Sequence, residues 1–110
     1  MSPEKQRVAI AEACGWKRGE SECWWKNGFW AMFNDDLPDY LNDLNAMHEA
    51  EKVLNGVRRA VFEFALLHEV LKRPEPFNYD RGDIMAVITA TAAQRAEAFL
   101  RTVGKWEKSA

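Results

Sequence analysis

The chain has 110 residues, a net charge of −2 and a pI near 5.7, which is room for a single small domain with one core. That balance excludes a general nucleic-acid binder, which gains affinity by releasing counterions through a basic excess, yet it permits a small anionic ligand held by a few local cations. No apolar run reaches the ~20 residues that cross a bilayer, and MSPEKQRVAIAEA has no signal-peptide core, so the expected setting is cytoplasmic, with Cys14 and Cys23 reduced.

In chain order, Ser2-Pro3 is a helix start, a capping hydroxyl followed by proline at the first helical position. The helix is expected to run through VAIAEAC and stop at Gly15. SECWWKNGFWAMF then places two aromatic runs either side of Asn27-Gly28, both tolerant of positive φ. This predicts a β-hairpin with strands at about 22–26 and 29–33. Trp16, Trp24, Trp25 and Trp30 lie here and Trp106 near the end. They read either as large core fillers or, for one of them, as a stacking surface for a planar ligand.

Asn34-Asp35-Asp36 offers N-caps for a long helix over 37–54, with Pro38 in its first turn. Leu37, Tyr40, Leu41, Leu44 and Met47 form its apolar stripe. The acids of DDLPDYLND read as caps and solvated groups rather than a metal cluster. Cys14, Cys23, His48 and His68 likewise match no zinc spacing, so no metal or other cofactor is expected.

Asn55-Gly56 breaks that helix and 57–72 makes another, apolar on two sides. One stripe is Val57, Val61, Phe64 and Leu71; the other is Phe62, Leu66 and Val70. Such a helix is deeply buried or shared with a partner chain, and in so small a domain a subunit contact is favoured. His68, within the first stripe, reads as a neutral buried histidine or a catalytic one. Residues 73–83 form a loop punctuated by Pro74, Pro76 and Gly82, carrying Phe77, Asn78, Tyr79 and Arg81. IMAVITA, 84–90, reads as a buried strand.

Thr91-Ala-Ala-Gln94 has the form of a capping box, so the last helix starts after Thr91; its end is expected near Gly104. At ~100° per residue, Ala92, Ala96, Phe99, Leu100 and Val103 share one face, and Arg95 falls at its boundary. A cation in the first turns of a helix opposes the dipole. Free amides, the Thr91 hydroxyl and Arg95 together read as an anion site, with phosphate the natural guest. The alternative is that Arg95 is a surface salt-bridge partner, for example of an acid on a neighbouring segment. In either case a boundary arginine contributes little to packing, and Arg95→Ala is expected to spare the fold. No Gly-rich phosphate loop, Cys/His or Ser/His constellation, or isolated carboxylate pair is visible, so the chain reads as a binding protein and not an enzyme.

Three segments, IAEACGW, DDLPDYLNDLNAMHEAEKVL and TATAAQRAEAFLRTVGKW, resemble the phage and prophage proteins that carry the phage ABA sandwich domain. The resemblance implies an α+β fold, an antiparallel β-sheet packed with α-helices. It also implies an anti-defence function: sequestering, uncleaved, the glycocyclic ADP-ribose signal of the bacterial Thoeris system. Members also capture cyclic oligonucleotides of CBASS in separate pockets and assemble as homodimers or as hexamers, trimers of dimers. The Trp of ACGW falls on Trp16 and the Arg of TAAQR on Arg95, both as ligand contacts. A loop asparagine falls on Asn78, with Phe77 or Tyr79 against adenine; Thr91 adds a hydroxyl. The contrasting readings are an inhibitor that docks the aromatic hairpin or helix 57–72 on a host protein, and a hydrolase of the same signal.

Overall fold

The computed structural model describes residues 1–19, 23–31, 33–71, 85 and 88–107, with the side chain of Leu71 excepted. Helix α1, Pro3–Ala13, begins at the expected cap, the Ser2 hydroxyl accepting from the Lys5 amide at 3.2 Å. The chain leaves it through Gly15 at φ 100°, a conformation that a Cβ resists. Strands β1 (Lys17–Arg18), β2 (Trp24–Lys26) and β3 (Phe29–Ala31) form an antiparallel sheet in that order. Asn27 and Gly28 turn the hairpin at φ 48° and 86°, the left-handed pair that matches strand twist. The hairpin expectation therefore holds, with shorter strands among the described residues; residues 22 and 32 lie outside them.

Register decides what each side of the sheet does. Arg18, Trp24 and Ala31 share one row and Lys17, Trp25 and Trp30 the next. Neighbouring rows point to opposite faces. Trp24 and Ala31 are buried, with the Trp24 indole N–H on Asn34 Oδ1 at 2.9 Å and the Arg18 guanidinium 5.3 Å from its ring. Trp24 is thus core, whereas Trp25 and Trp30 are exposed and Trp16 and Trp106 half-buried. One tryptophan of five fills the interior, fewer than core filling alone would require.

The long helix expected over 37–54 is not formed. Residues Asn34–Asp36 make one 3-10 turn, in which the Asp36 carboxylate accepts from the Phe33 amide at 3.1 Å. Leu37 is extended, at φ −66° and ψ 157°, as the ring of a following proline demands. Arg7 fixes this turn to α1 by donating to the carbonyls of Asp35, Leu37 and Pro38. The helix that does form, α2 at Leu44–Glu51, starts where the Asp43 carboxylate caps the amides of Asn45 and Ala46. Leu37, Tyr40 and Met47 still reach the core, but Leu44 is exposed.

Helix α3, Gly56–Leu71, forms as expected; Lys72 lies outside the described residues. Of its two stripes, Phe62 and Leu66 are buried while Val57 (80 % exposed), Val61 and Phe64 face outward. His68 is exposed, which corrects the expectation of a buried histidine. The strand expected over 84–90 is also corrected: Met85 and Ile88 have helical backbone, and the Thr89 amide bonds the Met85 carbonyl at 2.9 Å, a helical i to i+4 link. A short continuous apolar run is ambiguous between strand and helix; Met85 and Ile88 are also exposed, and residues 84, 86 and 87 of the run lie outside the described residues. Helix α4, Ala92–Thr102, packs most extensively on α3 and also touches α1 and α2. Ala92, Ala96, Phe99 and Leu100 are buried, as the helical projection requires, and Val103 is half-buried. The result is α+β: a layer of helices around Ile10, Met47, Phe62, Leu66, Phe99 and Leu100, with the small sheet applied through Trp24.

Candidate functional site

The N-terminus of α4 is built as its sequence prescribes. The Thr91 hydroxyl accepts from the Gln94 amide at 3.1 Å, and the Gln94 carbonyl oxygen accepts from the Thr91 amide at 2.9 Å. Arg95 departs from expectation. It is buried, at 7 % exposure, and its Nη1 donates to Glu51 Oε1 at 2.8 Å, with Glu51 itself 2 % exposed. Arg59 of α3 lies against the same carboxylate at 4.0 Å and also donates to the Glu51 carbonyl at 3.4 Å.

The electrostatic objection to a cation at a helix start is therefore answered within the protein. Arg95 sits at the negative C-terminal end of α2 as well as the positive N-terminal end of α4, and a buried carboxylate balances it. The neighbouring-acid alternative has the right kind of partner but not its setting: the pair is buried and not on the surface, and Arg95 belongs to the packing rather than to its rim.

Trp16 lies elsewhere. Between the end of α1, the β2–β3 turn and α2 is a cleft of about 340 Å³ walled by the rings of Trp16, Phe29 and Tyr40. Lys26, Asn27 and Glu49 supply its polar groups, and Cys14, Pro38, Ala46 and Ala50 its apolar ones. Thr91 and Arg95 do not line it. Phe77, Asn78 and the alternative Tyr79 lie outside the described residues. The structure thus brings Trp16 together with Lys26, Phe29 and Tyr40, and Thr91 together with Arg95, as two separate groups.

At the base of the cleft the Tyr40 hydroxyl interacts with the Cys14 thiol and the Trp16 indole. Burial pushes the Tyr40 hydroxyl well above its ordinary pKa; the Cys14 charge adds to this, and hydrogen bonding from Trp16 opposes it. Burial also pushes the Cys14 thiol up, against the pull of Lys26 and of the hydrogen bond with Tyr40. Both groups therefore stay protonated at neutral pH and serve as hydrogen-bonding surface, not as nucleophiles.

Sequence reasoning missed Lys26, Phe29 and Tyr40 as cleft residues, although the Asn-Gly turn that carries Lys26 and Phe29 toward α1 was visible. It also missed a carboxyl pair across α3 and α4. Burial raises the pKa of Glu97, hydrogen bonding and charge from Glu69 raise it further, and Arg101, 3.3 Å away, pulls it down. Among the described residues no group of three or more His, Cys, Asp or Glu side chains gathers as a metal site, and no helix is long and apolar enough to cross a membrane.

No family model, curated protein or solved structure matches the chain.

Proposed function

We propose that this chain is a non-catalytic capture protein for a nucleotide-type signal, of the glycocyclic ADP-ribose class that the sequence resemblance implies, seated in the cleft at Trp16. The observation that carries the proposal is the convergence of aromatic walls with one ammonium and one amide in a single recess. A purine stacks on Trp16 or Phe29, the diphosphate pairs with Lys26, and the ribose hydroxyls meet Asn27 and Glu49. The cleft volume is near the lower end of the ~300–1,000 Å³ common for small-molecule sites. With Cys14 and Tyr40 held protonated, capture without cleavage follows naturally. In this reading Arg95 is the counter-ion of Glu51 and shapes the cleft only through α2.

The outward stripe of α3 at Val57 and Val61 supports the homodimer, or hexamer, that belongs to the same reading. Capture of cyclic CBASS oligonucleotides is a further part of it, without assigned residues. Isothermal titration with cyclic ADP-ribose isomers tests the proposal. Binding should weaken at least tenfold in Trp16→Ala and in Lys26→Ala, and mass spectrometry should find the ligand unchanged after heat release. Absence of binding to every isomer would overturn it. Conversion of the ligand would favour a hydrolase, and a host protein retained through α3 would favour the inhibitor.

A further inference from the structure

The turn of the hairpin carries chemistry as well as shape. Asn27 and Gly28 are both exposed, at φ 48° and 86°, and a Cβ on Gly28 would meet nothing within 4 Å. Among the described residues, neither the Asn27 carboxamide nor the Gly28 amide makes a hydrogen bond. With glycine as the second residue, no side chain blocks the approach of the Gly28 nitrogen to the Asn27 carboxamide. The strands on either side, Trp24–Lys26 and Phe29–Ala31, are short, so freeing the turn for a moment disturbs little packing. Asn27 also lines the cleft, next in sequence to Lys26, which supplies the cleft's ammonium.

From this placement we infer that Asn27 is a self-modification site, a clock that ends capture by converting the cleft amide to an acid. The Gly28 amide gives its proton to hydroxide, and its nitrogen attacks Asn27 Cγ. The new C–N bond closes a succinimide ring, and the side-chain nitrogen takes a proton from water and departs as ammonia. A second water adds to either ring carbonyl and breaks that carbonyl's bond to nitrogen. One product is aspartate in the original backbone; the other is isoaspartate, whose main chain runs through the side-chain carbon. The sum is amide plus water to acid plus ammonia, with no change of oxidation state. Either product sets a carboxylate beside Lys26, where it answers the ammonium and repels a diphosphate. Isoaspartate also lengthens the backbone of the tight turn and spoils the left-handed pair that matches strand twist. Because the signal is held and not cleaved, an aged cleft returns it intact. This consequence rests on the reading of the cleft given above; the conversion does not. Asn55-Gly56 is the chain's other Asn-Gly pair; it stands at the start of α3, where a new acid suits the helix dipole, and it does not line the cleft.

The test ages the full chain at neutral and at mildly alkaline pH, folded and in urea, beside a frozen control. Trypsin separates the two Asn-Gly pairs, since it cuts after Lys26, Lys52 and Arg58. Peptide 27–52 of the folded chain should take on the mass of an amide turned acid, which fragmentation places at 27, as a mixture of aspartate and isoaspartate. Conversion should be faster at the alkaline pH, because attack needs the deprotonated nitrogen. Capture of cyclic ADP-ribose isomers by the aged fraction should be at least about fivefold weaker, the worth of one unit charge about 4 Å away in bulk water. Asn27→Asp should show that loss when fresh. Asn27→Gly accepts the same positive φ but has no amide, so it should gain no mass at 27 and hold its own starting affinity throughout. Asparagine that persists at 27 in the folded chain while the urea-unfolded chain converts would overturn the inference, because the fold then locks the turn. Aspartate without isoaspartate would overturn the ring mechanism, and conversion that leaves capture unchanged would overturn the clock. Fresh protein that binds no isomer would instead sink the cleft reading and the loss of capture with it, while the mass of peptide 27–52 still decides whether the modification site exists.

Discussion

Removing the Arg95 side chain isolates the most consequential contact in the structure. In Arg95→Ala the Glu51 carboxylate, 2 % exposed, loses its partner at 2.8 Å and keeps, among the described residues, the Arg59 guanidinium at 4.0 Å. Breaking one side of a buried pair costs about 3–5 kcal/mol. Arg59 recovers part of the charge balance, so the lower end, about 3 kcal/mol, is expected. A domain of this size has about 5–15 kcal/mol in total, so the variant forfeits a large share of it. At about 4–8 °C per kcal/mol, Tm should fall by roughly 12–24 °C. Glu51→Met/Arg95→Met removes both charges together and should lie close to wild type, because replacing the whole pair avoids stranding a charge. Urea unfolding of wild type, Glu51→Met, Arg95→Met and the double variant, followed by circular dichroism, gives the coupling directly. A loss below about 1 kcal/mol in Arg95→Ala, or a double variant as unstable as the sum of the singles, would refute the assignment of Arg95 to the packing.

Three further outcomes follow from local geometry. Gly28→Ala should destabilise by about 1–2 kcal/mol, because Gly28 sits at φ 86° with open space around it, so the backbone conformation alone sets the cost; an unchanged urea midpoint would contradict the left-handed turn. Thr91→Ala should cost about 1 kcal/mol through loss of the α4 cap, and Thr91→Ser should restore most of it; equal loss in both would point away from the hydroxyl. Glu97 has a raised folded-state pKa, so its neutral form is favoured on folding. Its contribution is fully present below the unfolded carboxyl value of about 4.3 and is lost as pH rises through the higher folded value. Glu97→Gln, permanently neutral, should therefore be more stable than wild type at pH 7 and indistinguishable near pH 4; unfolding midpoints that track each other across that range would remove the Glu69 pairing from the account.

What the sequence determined by itself was local. Ser2-Pro3, Asn27-Gly28 and the Thr91–Gln94 box each act within a few residues, through a cap or a positive φ, and each stands where the sequence put it. The buried face of α4 was legible for the same reason, since a helical period needs only a correct start. Pro38 shows the limit of such reading: its missing N–H was compatible with a first turn, but its ring forced Leu37 out of the helix, and Asp43 then proved the better cap. The tertiary structure decided which charges meet. Glu51, Arg59 and Arg95 come from three helices, and no spacing rule links them. It also decided that Trp16 faces Lys26, Phe29 and Tyr40 rather than Arg95, because the hairpin folds back over the end of α1. Side-chain partners across elements depend on packing, which a linear pattern constrains only to a face.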